Sequence, residues 1–205
     1  SLPEGLALVY PWVAGEVLSS PEWPNRRTNP DSPFSRFVRL PVSRKLAAMD
    51  AIIDAHNAVA AAGYIAVDFY LGCVLYDFDR HRVWLIDFDH YHPGPYVLDL
   101  DRQLGSTSLM PPEEFRRGAR IDVRATIYTI GKMALEFLSN RERDSDAWQA
   151  SRASFDVVAR ATETDPNDRY ASYAAFYDAW RAARGPERPP KGGPCSNFEI
   201  PPDLG

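Results

Sequence analysis

Two aspartates dominate the chemistry open to this chain. Asp68 and Asp87 lie in the stretch GYIAVDFYLGCVLYDFDRHRVWLIDFDHY, which runs from Gly63 to Tyr91. Between them stand two short apolar runs, CVLY and VWLI, joined by the polar DFDRHR. Runs of this kind around a polar connector predict a loop, a β-hairpin and a second loop. A hairpin folds back on itself, so both carboxylates emerge at the same end. Two acids brought to one place suit proton abstraction by one and Mg²⁺ binding by the other.

The flanking elements must hold that hairpin. From Val42 to Ala62, Leu46, Met49, Ile53 and Ala60 recur at helical spacing, and Gly63 stops the helix. His56 falls on the same face and reads as a buried structural histidine rather than a ligand or base. A second helix spans Asp122 to Leu138, with Ile127, Ile130, Ala134 and Phe137 on its apolar face and Asp122 as its N-cap. Residues 147–162 and a last segment ending near Arg184 predict two more. Before them, the apolar run Leu6 to Leu18 reads as a strand broken by Pro11. Residues 19–41 hold five prolines and no apolar period, which predicts an irregular connector. From Gly185 onward the chain is rich in Pro and Gly, an extended or disordered tail.

Composition narrows the function classes. The 205 residues suit one domain or a large part of one. A net charge of −5 leaves no footprint for nucleic acid or an anionic membrane, and no run is long enough to span a bilayer. Cys73 and Cys195 are too few for a disulfide framework, and no signal peptide is seen, so a cytoplasmic location is expected. Only three lysines occur, Lys45, Lys132 and Lys191, a skew toward arginine that hints at a GC-rich bacterial genome.

The central stretch resembles the catalytic and metal loops of the protein kinase family, H-R-D-x-x-x-x-N and D-F-G. This chain writes them AVDFYLGC and DFD. The resemblance extends to other motifs. Gly105 to Glu113, GSTSLMPPE, matches the G-T-x-x-Y-M-A-P-E end of the activation segment. Asp122, Arg124, Tyr128 and Gly131 match the D-x-R-S-D-I-Y-S-L-G helix. TDPNDRYAS, around Arg169, matches D-P-x-x-R. In that register Tyr10 is the gatekeeper, and the Pro11 carbonyl and Val13 amide meet the adenine edge.

The resemblance implies roles. Asp68 is the catalytic base, Asp87 the metal ligand, and Glu113 the partner of Arg169 in a partly buried ion pair. It implies ATP and Mg²⁺ as cofactors and a protein or peptide substrate. The departures matter as much. Ala66 and Val67 replace His-Arg, Tyr70 replaces the loop Lys, and Cys73 replaces the Asn that holds a second Mg²⁺. Asp89 replaces the Gly of D-F-G, as in small-molecule phosphotransferases; it stands either as a further metal oxygen or as a solvated loop carboxylate. Thr126 replaces the Asp that anchors the catalytic loop, a weaker anchor.

The expected fold is mainly α (α+β), a protein-kinase-like C-terminal lobe over residues 42–184, with a hinge strand in residues 1–18 and the catalytic-loop hairpin. The 19–41 connector and the 185–205 tail complete it. No Gly-rich loop or strand lysine is found, so an N-lobe or a second chain is expected at the exposed lobe face, and the isolated chain is expected to be inactive. The expected function is a serine/threonine protein kinase-like phosphotransferase. Two alternatives stand beside it: a pseudokinase-type binding or scaffold domain, and a small-molecule kinase of the aminoglycoside or choline type.

Overall fold

The computed structural model describes residues 12–22 and 24–185. Tyr10 and Pro11, the tail from 186 and Cys195 lie outside them. Strand β1 (Glu16–Val17) is followed by α1 (Pro33–Val38), the long α2 (Val42–Ala61) and β2 (Tyr64–Ile65). Strands β3 (Val74–Asp77) and β4 (Arg82–Leu85) form a hairpin, and β5 (His92–Pro93) and β6 (Tyr96–Val97) follow it. The chain then runs through β7 (Arg120–Ile121), α3 (Val123–Leu138), α4 (Arg152–Ala161) and α5 (Tyr173–Arg184). The molecule is thus mixed α and β, with five α-helices and small antiparallel sheets among the described residues. No helix among them is long and apolar enough to cross a membrane.

The helices supply the core. Met49, Ile52 and Ile53 of α2 meet Ile127, Ile130 and Phe137 of α3, Val158 of α4, and Phe176 and Trp180 of α5 in one buried cluster. Polar groups inside it are matched: the Trp180 indole N–H donates to Asp50 Oδ1 at 2.8 Å, and Asp50 also takes the Arg184 guanidinium at 3.1 Å. Helices α3 and α4 approach closely because Gly131 carries no side chain. A Cβ there would lie 2.8 Å from Thr162 Cγ2 and 3.0 Å from Ala161 Cβ.

The hairpin is antiparallel, with Val74 opposite Leu85 and Asp77 opposite Arg82. Its turn is organised by Asp77, whose Oδ1 accepts the backbone N–H groups of Asp79 and Arg80, both at 2.9 Å. Strand β1 pairs with β3 on the other side, completing a three-stranded sheet in the order β1-β3-β4.

Several expectations are revised. The connector 19–41 contains α1, because Pro33 sits at its first turn, where its missing N–H is no loss, and Ser32 caps it. Of the strand expected over Leu6 to Leu18, only Glu16–Val17 pairs among the described residues; Val13 is half-buried irregular chain. The helix expected from 147 begins at Arg152, since the Ser151 side chain accepts the Ser154 N–H and fixes the start there. The two-residue ladders β2–β5 and β6–β7 had no sequence signal, being too short to show alternation.

Candidate functional site

Asp68 follows β2 in a segment whose side chains divide between two clusters. Ala66 and Phe69 enter the main core, while Ile65 and Val67 pack with Leu98, Ile121 and Ala125. The backbone is tied to α3 by the Ala66 N–H, which donates to Thr126 Oγ1 at 2.9 Å. Pinned in this way, Asp68 holds a left-handed backbone at φ 57°. Such a conformation costs free energy in a non-glycine residue and concentrates at functional sites.

The Asp68 carboxylate has two different faces. Oδ1 accepts the Ser106 backbone N–H at 2.7 Å, in the segment that returns after β6. Oδ2 lies 4.0 Å from His90 Nδ1, too long for a direct hydrogen bond. The Asp68 side chain is largely covered, at 18% exposure, while His90 stands in solvent. His90 was not singled out from the sequence; its only signal was its place directly after DFD.

Asp87 follows β4 and also has a positive φ, 67°. The ladder runs one bond past β4, with the Ile86 N–H on Cys73 O at 3.0 Å. The two aspartates therefore leave the hairpin at one end. Both act on the groups between them: burial first, then the charges of Asp87 and Asp68, pushes the Cys73 thiol up to about 12. Burial, Cys73, Asp68 and Asp87 likewise raise the Tyr70 hydroxyl. Asp87 and Asp89 are both exposed.

The loop carrying Asp87 is fastened to α2. The Tyr91 N–H donates to Phe88 O at 3.0 Å, and the Tyr91 hydroxyl meets His56 Nε2 at 2.8 Å. His56 is fully buried, its Nδ1 2.8 Å from Ile52 O. Burial pushes its pKa down to about 4, so the ring is neutral near neutral pH. That is the structural role expected of it; no sequence pattern marks Tyr91 as its partner.

The segment bearing Ser106 is held at its far end by Arg169. Arg169 Nη1 and Nη2 take the two oxygens of Glu113 at 2.7 and 2.9 Å. Nε donates to Glu163 O, and the two Nη groups donate again to Arg124 O and Thr164 O, at 2.7, 3.0 and 3.1 Å. All five guanidinium hydrogens are thus engaged in a side chain with no exposure. The Tyr128 ring lies against it, 4.6 Å from the guanidinium carbon to the ring centroid. Beside Glu113, the buried Glu114 carboxyl is raised to about 8 by burial, then by the charges of Glu113 and Asp68. No sequence pattern marks Glu114 as buried.

No group of three or more His, Cys, Asp or Glu among the described residues is arranged to hold a metal ion by itself. Asp87 and Asp89 offer the oxygen donors that a hard cation takes. Mg²⁺ is commonly held by one or two carboxylates, with waters and substrate phosphates filling the other positions, so the pair fits it. Cys73 does not: its thiol is buried, protonated and turned toward Asp68 O at 3.5 Å. Tyr10 and Pro11 fall outside the described residues, leaving Val13 alone of the three positions expected at a hinge. No protein-family model matches the chain. No curated protein matches it either.

Proposed function

We propose that the chain is the mainly helical, C-terminal lobe of a serine/threonine protein kinase-like phosphotransferase. The observation that carries this reading is the pair of left-handed aspartates at one end of one hairpin, with Asp68 held from behind by the Ser106 N–H. Fixing Oδ1 leaves Oδ2 on the open side, where it can accept the proton of a substrate hydroxyl. Asp87, with Asp89 beside it, would hold Mg²⁺ together with the phosphates of ATP. The ion's contribution when bound is to offset the charge of those phosphates. Thr126 and the Glu113–Arg169 pair keep the two segments that meet at Asp68 in register. The substrate proposed is a protein or peptide hydroxyl, and the setting a reducing cytoplasm.

An N-lobe or a second chain is proposed as the partner. Trp12, ahead of β1, is 97% exposed, and Ile86, just past β4, is also exposed. A monodisperse monomer at high concentration would count against a self-association here.

A pseudokinase reading is favoured by one feature, the Cys73 position. A buried, protonated thiol supplies no ligand for a second ion, so nucleotide binding without transfer is the natural outcome. Calorimetric titration of ATP with Mg²⁺, repeated on Asp87→Asn, tests both readings. Binding lost in the variant supports the metal-loop role. Absence of binding in the unaltered chain counts against a nucleotide site completed by these residues alone.

A further inference from the structure

We propose that the cleft lined by Arg116, Arg120 and Arg124 binds a phosphoryl group. It is a cleft open to solvent, of about 500 Å³, walled by Pro112, Glu113 and the Thr164–Asn167 turn. The three arginines come from successive pieces of chain: the residue after the 3-10 turn Pro112–Phe115, strand β7, and the first turn of α3.

Their guanidiniums differ in what already occupies them. Arg124 is fully placed, with Nε and Nη2 on Asp122 at 2.9 and 2.7 Å and Nη1 on Asn167 Oδ1 at 2.8 Å. Arg120 reaches Asp122 Oδ2 only at 3.7 Å, beyond hydrogen-bond distance, and its side chain is 65% exposed. Arg116 is exposed, and its side chain has no hydrogen-bond or ion-pair partner among the described residues. The cleft therefore presents two open guanidinium forks around a fixed third.

Charge favours an anion. Glu113 is consumed by Arg169, and Asp122 by Arg124. Asp165 caps the turn by accepting the Asn167 N–H at 2.8 Å and is the remaining carboxylate among the lining residues. The excess is positive on a chain whose net charge is −5. The chemistry of the open forks selects the kind of anion. One arginine fork saturates a carboxylate, whereas a tetrahedral phosphoryl group has oxygens for both open forks at once. The inference does not depend on Asp68 transferring phosphate.

Two sources share this chemistry, free phosphate and a phosphorylated peptide, and one titration series separates them. Inorganic phosphate, a phosphoserine peptide and its unphosphorylated twin are titrated into the 205-residue chain at constant ionic strength set with chloride. The expected result is binding of phosphate, of the phosphopeptide, or of both, weakened about tenfold or more in Arg116→Gln/Arg120→Gln. Binding of the phosphopeptide alone identifies a peptide source. The exposed Arg152→Gln on α4 should leave affinity unchanged. Three results would overturn the proposal: no binding of either ligand, equal loss in Arg152→Gln, or loss in Asp87→Asn, which would move the anion to the aspartate site. Circular dichroism of the double variant verifies that it folds.

Discussion

The Asp68 carboxylate occupies the space that a side chain on Gly105 would fill. A Cβ on Gly105 would lie 2.3 Å from Asp68 Cγ and Oδ1, and Gly105 itself has φ 113°. The glycine is thus required twice, once by its own backbone and once by its neighbour's carboxylate.

Gly105→Ala should therefore displace Asp68 and destabilise the fold by about 1–3 kcal/mol. Gly118→Ala is the control, since Gly118 also has positive φ, 81°, but a Cβ there meets nothing within 4 Å. In urea unfolding the first variant should lose clearly more stability than the second. Equal losses would show that backbone strain alone is responsible.

Breaking the buried pair should be costly. Arg169→Met or Glu113→Leu leaves a charge without its partner inside the protein, and about 3–5 kcal/mol of stability should be lost in urea unfolding. The double variant Glu113→Leu/Arg169→Met should lose less than the sum of its parts. A strictly additive double-mutant cycle would mean the two side chains are not energetically coupled.

The Thr126 hydroxyl is the acceptor for the Ala66 N–H, so Thr126→Val should cost about 1–3 kcal/mol. Thr126→Ser keeps the oxygen and should cost ~1 kcal/mol. Amide exchange at Ala66 distinguishes the two: it should accelerate in the valine variant and remain slow in the serine variant.

Glu114 and His56 bring opposite pH dependences. The Glu114 carboxyl is raised from 4.5 to about 8, so its stabilising protonated form is complete below 4.5 and is lost as the pH rises through 8. His56 is lowered from 6.5 to about 4, so its contribution is complete above 6.5 and is lost as the pH falls through 4. Glu114→Gln should raise the melting temperature at pH 9 by ~2–4 °C for each kcal/mol recovered, with no gain at pH 4. A gain of equal size at both pH values would place the effect outside ionisation.

The parts of the fold legible in the sequence are those with a repeating pattern. Helix α2 and α3 announced themselves through Met49, Ile53, Ile127 and Ile130, and the hairpin through two apolar runs around Asp77 and Arg80. Motif resemblance pairs Glu113 with Arg169; no rule of spacing does. What stayed hidden depends on three-dimensional neighbours. Nothing local says that Glu114 turns inward while Phe115 stays in solvent, or that Tyr91 reaches His56 thirty-five positions earlier. The start of α1 was hidden for another reason: proline is a breaker within a helix and a starter at its first turn, and composition does not tell the two apart.

Arg169 offers a use that follows from its enclosure. A side-chain Nε–H that is buried and bonded to Glu163 O should exchange slowly enough with water to give its own resonance at neutral pH, unlike the solvent-exposed arginines. The same guanidinium holds Glu113 across fifty-six positions of chain, so the enclosure that protects this resonance includes the joining of the two ends of that span. Nature has in effect placed a single-atom spectroscopic probe in the protein, one that reports closure of the segment leading to Asp68 without any label.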